Sequence, residues 1–459
     1  MFLQDVGPCL STGKGNSTKV YSHKAACAIL AMMENYRIDD DIYALATPWG
    51  ESALAVIRTG GPDTLEKVAA FFSRPKALRA IKTTGLVHGF LVDPATGEQV
   101  DEVVLSVFNG GHGYTGEPAV EISCHGSLDG IKRILRLCHD GGLRAASPGE
   151  FTFRAFMHGR MDLTRAEAVQ ELVAARSSRA RTMALDRLGG ALYNRIEAFK
   201  QRILTLVSTI EVQLDYAEDE IGGATGFPQG EPDATAVEIE NLAHSWQAGR
   251  LYGQGARIVL AGATNAGKSS LFNLLLKDER AIVSDVHGTT RDYLEASAQI
   301  DGIPVRLYDT AGLRESADTI EAEGIRRTGK LMEQADLIIL VKDGTLAGDK
   351  PVDLPCALDD PRLIVVHNKA DLRKDGMVHN ALDLWISVHH GTGVDALVAR
   401  IGAFLRSRIS SSGDEQLVIE SDRQHEGLLL AAQSLRTASQ LDTDGVPLDI
   451  IPPCMPWEN

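Results

Sequence analysis

No stretch of this 459-residue chain is apolar without interruption for about 18 residues, the length a membrane-spanning helix needs, so none is expected. The N-terminus has neither the basic start nor the long apolar core of a secretory signal, which points to a cytoplasmic protein. Cysteine is sparse: Cys9, Cys27, Cys124, Cys138, Cys356 and Cys454 form no C-x-x-C pair and no metal-ligand spacing. That argues against a disulfide framework or a zinc module and leaves free thiols in a reducing compartment. Basic charge is short as well, 46 Lys and Arg against 62 Asp and Glu, for a net charge of −16. That argues against a protein that coats nucleic acid broadly with positive charge, although it leaves room for a local basic patch. What is present is an ordinary apolar fraction of 44% and enough length for roughly two to four domains.

Residues 1–41 differ in character from the rest. Ser11–Lys19 (STGKGNSTK) is polar and Gly-rich, but its Gly-Lys-Gly lacks the leading glycine and preceding strand of a phosphate loop. A disordered extension is expected there. Residues 42–154 read as an α+β domain, with strand-like Ala53–Arg58 and Val103–Phe108 between turns and a short helix over Ile131–His139. Residues 155–253 turn helical: Ala166, Val169, Leu172 and Val173, then Ile196, Phe199, Ile203, Leu206 and Ile210, recur at helical spacing. Gly189-Gly190 marks a turn between two long helices, and another helix is expected after the loop at 221–231, ending near Gly253. Residues 255–410 alternate apolar runs (Ile258–Ala261, Val305–Tyr308, Leu337–Val341, Leu363–Val366, Leu384–Ser387) with helical patterns, as in a doubly wound, mostly parallel sheet. Residues 411–459 return to helix near 420–440 and end Pro-rich, where Pro452 and Pro453 cannot continue a helix.

Gly262-Ala263-Thr264-Asn265-Ala266-Gly267-Lys268-Ser269 fits the phosphate-loop pattern without a mismatch, between a predicted strand and a predicted helix over Ser269–Leu276. Glycines let backbone N–H groups close on phosphate oxygens, and the helix N-terminus favours the anion. Lys268 is placed to neutralise β/γ oxygens and Ser269 to ligate Mg²⁺. Asp309-Thr310-Ala311-Gly312 follows a strand, as a metal-linked aspartate and a γ-phosphate-sensing glycine should. Asn368-Lys369-Ala370-Asp371 also follows a strand; the Asp371 carboxylate can accept two hydrogen bonds from guanine, which adenine cannot supply. Gly288-Thr289-Thr290-Arg291-Asp292 lies between these elements, where a switch threonine completes a Mg²⁺ shell. Each element alone fits a turn or a cap; four in order, at strand ends, point to a GTP-hydrolysing switch. The position where a Ras-type enzyme carries its water-orienting glutamine is Leu313, and no arginine finger is evident. Positive charge worth roughly 10³–10⁵ in rate must therefore come from another source.

From about Asp41 to His425 the chain resembles the MnmE/TrmE family of tRNA-modification GTPases. The marks are ATPWGESALAVIRTGG (46–61), YTGEPAVEISCHG (114–126), SPGEFTFRAFMHGRMDLTRAEAV (147–169), GATNAGKSSLFN (262–273), AIVSDVHGTTRD (281–292) and DTAGLRESADTIEAEGI (309–325). The resemblance implies a folate-binding-like α+β domain, a helical domain in two parts and an inserted Ras-like P-loop G domain. It implies K⁺ in place of the finger, held by Asn265, Ser284, Val286 and Thr289, and Mg²⁺ held by Ser269 and Thr290. Catalysis falls to Glu321, which organises the water, with Lys268 and Thr290. GTP contacts run over Asn265, Ala266, Gly267, Lys268, Ser269 and Ser270, then Ser284, Asp285, Val286, His287, Gly288, Thr289 and Thr290. They continue over Asp309, Thr310, Ala311 and Gly312, over Asn368, Lys369, Ala370 and Asp371, and over Ser387, Val388 and His389. Arg58, Glu121 and Arg160 fall at positions for a tetrahydrofolate derivative, 5-formyl- or methylene-tetrahydrofolate. The family further implies a homodimer, a heterotetramer with an FAD-dependent MnmG-type partner, and a carboxymethylaminomethyl-type group added to C5 of the wobble uridine of certain tRNAs.

The chain departs from the family pattern at Thr264, usually proline, and at Ser387-Val388-His389, where guanine-contacting loops usually read Ser-Ala-Lys. Cys454 is followed by Met-Pro-Trp and not by the family's terminal Cys-x-Gly-Lys. Two other readings stand beside the first: a GTP-dependent RNA-binding or ribosome-assembly switch, and a truncated GTPase without modification activity.

Overall fold

The computed structural model describes residues 37–215, 230–277, 294–310, 329–345, 359–372, 384–410 and 417–444. The expectations for residues 1–36, for Ser284–Thr290, for Ala311, Gly312, Leu313 and Glu321, and for the end of the chain lie outside those residues. Among the described residues no helix is long and apolar enough to cross a membrane. The chain divides into two compact units, parted after Ala166.

The first unit is built on a six-stranded sheet of β1 (Ile42–Leu45), β2 (Ser52–Gly60), β3 (Thr84–Val92), β4 (Gln99–Phe108), β5 (Ala119–Gly126) and β6 (Arg144–Ala145), in the order β3-β4-β5-β2-β1-β6. All neighbours are antiparallel except β1 and β6. Period-two patterning sets the faces: Val103, Leu105 and Val107 of β4 are buried with Val120 and Ile122 of β5, while Val104 is exposed. Helices α1 (Thr64–Ala70), α2 (Pro75–Ala80) and α3 (Leu128–Asp140) supply the other half of this core through Val68, Leu78, Ile131 and Ile134. Ser127 caps α3, its Oγ accepting the Gly130 N–H at 3.0 Å. Helix α4 (Glu150–Met157) carries Glu150 and Arg154, both fully buried. The Arg154 guanidinium donates to Asp40 Oδ1 at 2.5 Å and to Glu150 Oε1 at 3.2 Å, and Arg144 donates to the same two carboxylates. Burial of these charges is tolerable only because each is paired. Cys124 and Cys138 are buried free thiols, which burial pushes up to about 11 and about 12.

In the second unit, helices α5 (Leu163–Ala174), α6 (Ser178–Leu188), α7 (Ala191–Asp215), α8 (Glu231–His244) and α9 (Trp246–Gly253) come first. The two long helices expected around Gly189-Gly190 are three, because Ser177 caps α6 by accepting the Ala180 N–H at 3.1 Å. The helix expected to end near Gly253 is broken at Ser245, whose Oγ donates to Leu242 O and accepts the Ile419 N–H. A second six-stranded sheet follows: β7 (Ala256–Gly262), β8 (Leu294–Ile300), β9 (Ile303–Asp309), β10 (Leu337–Asp343), β11 (Leu363–Asn368) and β12 (Leu384–Trp385), in the order β12-β11-β10-β7-β9-β8. Every pair is parallel except β8–β9. The edge strand β8 was not expected, since its LEASAQI sequence buries little beyond Ala298 and Ile300. Helices α10 (Lys268–Lys277) and α11 (Val394–Ser410) flank the sheet through Leu271, Leu275, Leu397 and Ile401. Helix α12 (Asp422–Thr443) then packs back on α8, joining Ile239 and Leu242 with Leu428 and Ala432. The doubly wound sheet is thus inserted in sequence between two helical segments that share one core.

Arg187 of α6, 1% exposed, donates to Val418 O at 2.6 Å and Glu420 Oε2 at 3.2 Å, and lies 2.7 Å from Glu171 Oε2 of α5. Burial, reinforced by the neighbouring Glu171 charge, pushes the Glu420 carboxyl up to about 7 against the attraction of Arg187. The folded chain therefore keeps a proton on Glu420 that the unfolded chain releases above its ordinary value of 4.5. Stability should fall as pH rises through that window. The urea midpoint of the second unit is expected to drop between pH 5 and pH 8, and Glu420→Gln should shrink the drop; an unchanged drop in that variant would contradict the assignment.

Candidate nucleotide site

In the second sheet β7 lies between β9, reached first in sequence, and β10, reached later. The chain winds outward in both directions from β7, which places a crevice at the carboxyl ends of these strands. Gly262 ends β7, Asp309 ends β9, Asp343 ends β10, Asn368 ends β11 and Ser387 follows β12. The phosphate loop, Asp309 and the Asn368–Asp371 motif are thereby gathered at one edge of the sheet.

The loop from Gly262 to Lys268 needs its glycines. Gly262 has φ +142°, and a Cβ there would stand 2.1 Å from Val341 O. Gly267 has φ +97°, and a Cβ there would stand 2.1 Å from Asn368 Nδ2. Asn265 is also left-handed, at φ +63°, and exposed. Helix α10 begins at Lys268, directly after the loop, with exposed Ser270 in its first turn, and a helix N-terminus favours an anion. Lys268 is buried, and its Nζ donates to Gly262 O at 3.1 Å and Ala263 O at 2.9 Å. Ser269 Oγ donates to Asp309 Oδ2 at 2.6 Å, with Asp309 buried. A hydroxyl and a carboxylate held this close form a hard-oxygen pair that suits Mg²⁺. Thr310 turns its hydroxyl to Leu260 O at 2.8 Å and so anchors the β9 end to β7.

Asn368 ties the site together. Its Nδ2 donates to the buried Ala266 O at 2.9 Å, and its Oδ1 accepts the Val388 N–H at 3.1 Å. The N–H of Val388, one of the expected GTP contacts, is thus engaged by Asn368. Ala370 N donates to Ile386 O at 3.0 Å. Ser387 Oγ donates to Asp371 Oδ1 at 2.5 Å, and His390 Nε2 lies 3.9 Å from Asp371 Oδ2. The Ser387 hydrogen bond outweighs desolvation and holds the Asp371 carboxyl below its ordinary value, which keeps it an acceptor. His389 packs edge-on against His390 at 4.7 Å. Asp343 was missed in the sequence: it pairs with Lys369 Nζ at 2.6 Å from the strand end opposite Asn368, a placement that only the strand register reveals.

In the first unit Arg58 of β2 and Glu121 of β5 are register partners, and Arg58 Nε donates to Glu121 Oε1 at 2.8 Å. The guanidinium lies 5.2 Å from the Tyr114 ring centre and 5.7 Å from that of Phe151. Arg160 packs its stem on Gly116 and lines a cavity of about 640 Å³ with Glu117, Pro118 and His158. The loop from Tyr114 to Pro118 thus meets Arg58 at Tyr114 and Arg160 at Gly116, while Glu121 is reached through Arg58. Arg154, 3.6 Å from Glu117 Oε1, fixes that loop from below.

A phosphate loop at the switch point of a doubly wound sheet, with Asn368 and Asp371 at the far strand ends, defines a Ras-like P-loop G domain. The family of the GTP-binding protein TrmE N-terminus matches residues 41–160, and that of the MnmE helical domain matches residues 163–455. The tRNA modification GTPase MnmE of Treponema denticola is 39% identical over 91% of this chain and 92% of its own length. That of Moorella thermoacetica is 37% identical over 90% and 92%, and that of Treponema pallidum 44% identical over 72% and 67%. The FeoB G domain of Methanococcus jannaschii aligns at 22% identity over 33% of this chain and 98% of its own, with a TM-score of 0.26, so the assignment rests on the sequence relatives. The chain belongs to the MnmE family of tRNA-modification GTPases.

Gly267→Ala is expected to strike the loop while sparing the sheet, because the added methyl meets Asn368 Nδ2 at a left-handed residue. GTP affinity measured by calorimetry should fall by more than about tenfold, the effect of leaving one buried amide unsatisfied. Unchanged affinity would show that the Asn368–Ala266 link does not shape the loop.

Proposed function

We propose that this chain is a potassium-activated GTPase that, with an FAD-dependent partner, takes part in adding a carboxymethylaminomethyl-type group to C5 of the wobble uridine of certain tRNAs. The observation that carries the guanine-nucleotide part is the Asn368 side chain, which joins the phosphate loop at Ala266 to the segment after β12 at Val388 beside Ser387-bound Asp371. Family membership supports the tRNA part, since the relatives are named for tRNA modification.

In this reading Lys268 and the loop N–H groups bind the β/γ-phosphates, and Asp371 selects guanine. Ser269 and Thr290 hold Mg²⁺, with Asp309 fixing Ser269. Asn265, Ser284, Val286 and Thr289 hold K⁺, which supplies the positive charge of an arginine finger, and Glu321 orients the attacking water. The first unit holds a tetrahydrofolate derivative through Arg58, Glu121 and Arg160. An arginine–carboxylate pair flanked by Tyr114 and Phe151 can stack on a flat heterocycle and donate or accept at its edge. The division proposed is residues 42–154 for folate, 155–253 with 411–459 for the helical part and 255–410 for GTP, in a cytoplasmic homodimer that joins an MnmG-type protein as a heterotetramer.

Because a finger charge is worth roughly 10³–10⁵ in rate, exchanging K⁺ for Na⁺ should slow GTP turnover by more than about tenfold. Glu321→Ala should lower turnover with GTP affinity nearly intact. Equal turnover in the two salts, measured by phosphate release, would overturn potassium activation.

A further inference from the structure

Asp343 sits where β10 ends, opposite Asn368 of β11 in the parallel register. Its carboxylate is built into a turn. Oδ1 accepts the Thr345 N–H at 3.0 Å and the Thr345 hydroxyl at 2.7 Å, and Oδ2 accepts Lys369 Nζ at 2.6 Å. The turn is pressed against the guanine-motif strand: Gly344 N donates to Asn368 O at 2.8 Å, and a Cβ on Gly344 would stand 2.7 Å from that oxygen and 2.8 Å from the Trp385 ring. Lys369 itself has φ +65°, a left-handed backbone that a long side chain adopts only when its surroundings hold it there. Its neighbours in sequence are already committed, Asn368 to Ala266 and Val388, and Asp371 to Ser387.

We infer that Asp343 is a positioning residue of the nucleotide site, acting through Lys369: the ion pair fixes the lysine stem beside Asp371 before a guanine nucleotide arrives. The inference rests on the guanine-nucleotide reading above and adds to it a residue outside the four motifs. Lysine carries one of the largest rotamer entropies of any side chain, so an unpinned Lys369 would lose that freedom on binding. Preorganisation removes the loss from the binding step. Burial would raise the Asp343 carboxyl, but the Lys369 and Thr345 hydrogen bonds outweigh it and hold the group ionised.

The test is a double-mutant cycle on the full chain, with GDP as the probe and Kd read by calorimetry. Asp343→Asn keeps an oxygen for Thr345 and ends the ion pair; it is expected to raise Kd for GDP by about tenfold. In a Lys369→Met background the same change should raise Kd by less than about twofold, since its target is gone. Asp343→Glu, which restores the charge, should recover part of the affinity. An equal rise in both backgrounds would overturn the inference, because Asp343 would then be acting on the turn and not through Lys369; so would no rise at all. If Asp343→Asn unfolds, Asp343→Glu in the two backgrounds carries the same decision. Failure of the unsubstituted chain to bind GDP would overturn the guanine-nucleotide reading itself, and this inference with it.

Discussion

The primary carboxamide of Asn368 is the point on which the nucleotide site depends. One group, buried at the end of β11, donates to the phosphate loop and accepts from the backbone beyond β12. Three segments spread over more than a hundred residues are thereby held at hydrogen-bond distance. A buried amide with both ends satisfied contributes modestly, but leaving either end unmet costs considerably more. The glycine at 267 follows from this: the amide occupies the space a side chain there would need.

Around that link the sheet supplies position and the loops supply chemistry. Parallel strands bury Ile258, Leu260, Ile339, Val341 and Val366 on one face and Val259, Ala261 and Ile338 on the other, and end in one crevice. Polar groups at the strand ends are mostly tied to each other: Ser269 to Asp309, Ser387 to Asp371, Lys369 to Asp343. Such groups are already oriented, so little ordering remains to be done on binding. The first unit follows the same economy with its buried charges, where Arg154 and Arg144 share Asp40 and Glu150 and the loop beside Arg58 is anchored through Glu117.

Much of this was legible in the residues, and the limits were physical. The strands from Ile258, Val305 and Leu337 announced themselves because both faces are buried and the runs are continuous; the run from Leu363 is continuous too, although only alternate residues are fully buried. Strand β8 did not, since as an edge strand it alternates Ala, Ser and Gln with little apolar weight. The breaks at Ser177 and Ser245 were hidden because a serine that caps or interrupts a helix looks like any polar residue on its surface until its hydroxyl has a partner. Phosphate-loop residues were readable from spacing, because the ligand dictates it. Asp343 was not, because its role comes from strand pairing with Asn368, which no local pattern records. Arg58 and Glu121 lie far apart in sequence, and only the β2–β5 register makes them a pair.

Selection of guanine by the Asp371 carboxylate, as proposed above, is addressed directly by one substitution. Asp371→Asn replaces an acceptor with a group that also donates, which suits the extra oxygen of xanthine in place of the guanine amine. Affinities of the variant for GTP and XTP, measured side by side, should show GTP weakened by about a hundredfold and XTP preferred. Retention of the preference for GTP would contradict guanine selection by Asp371.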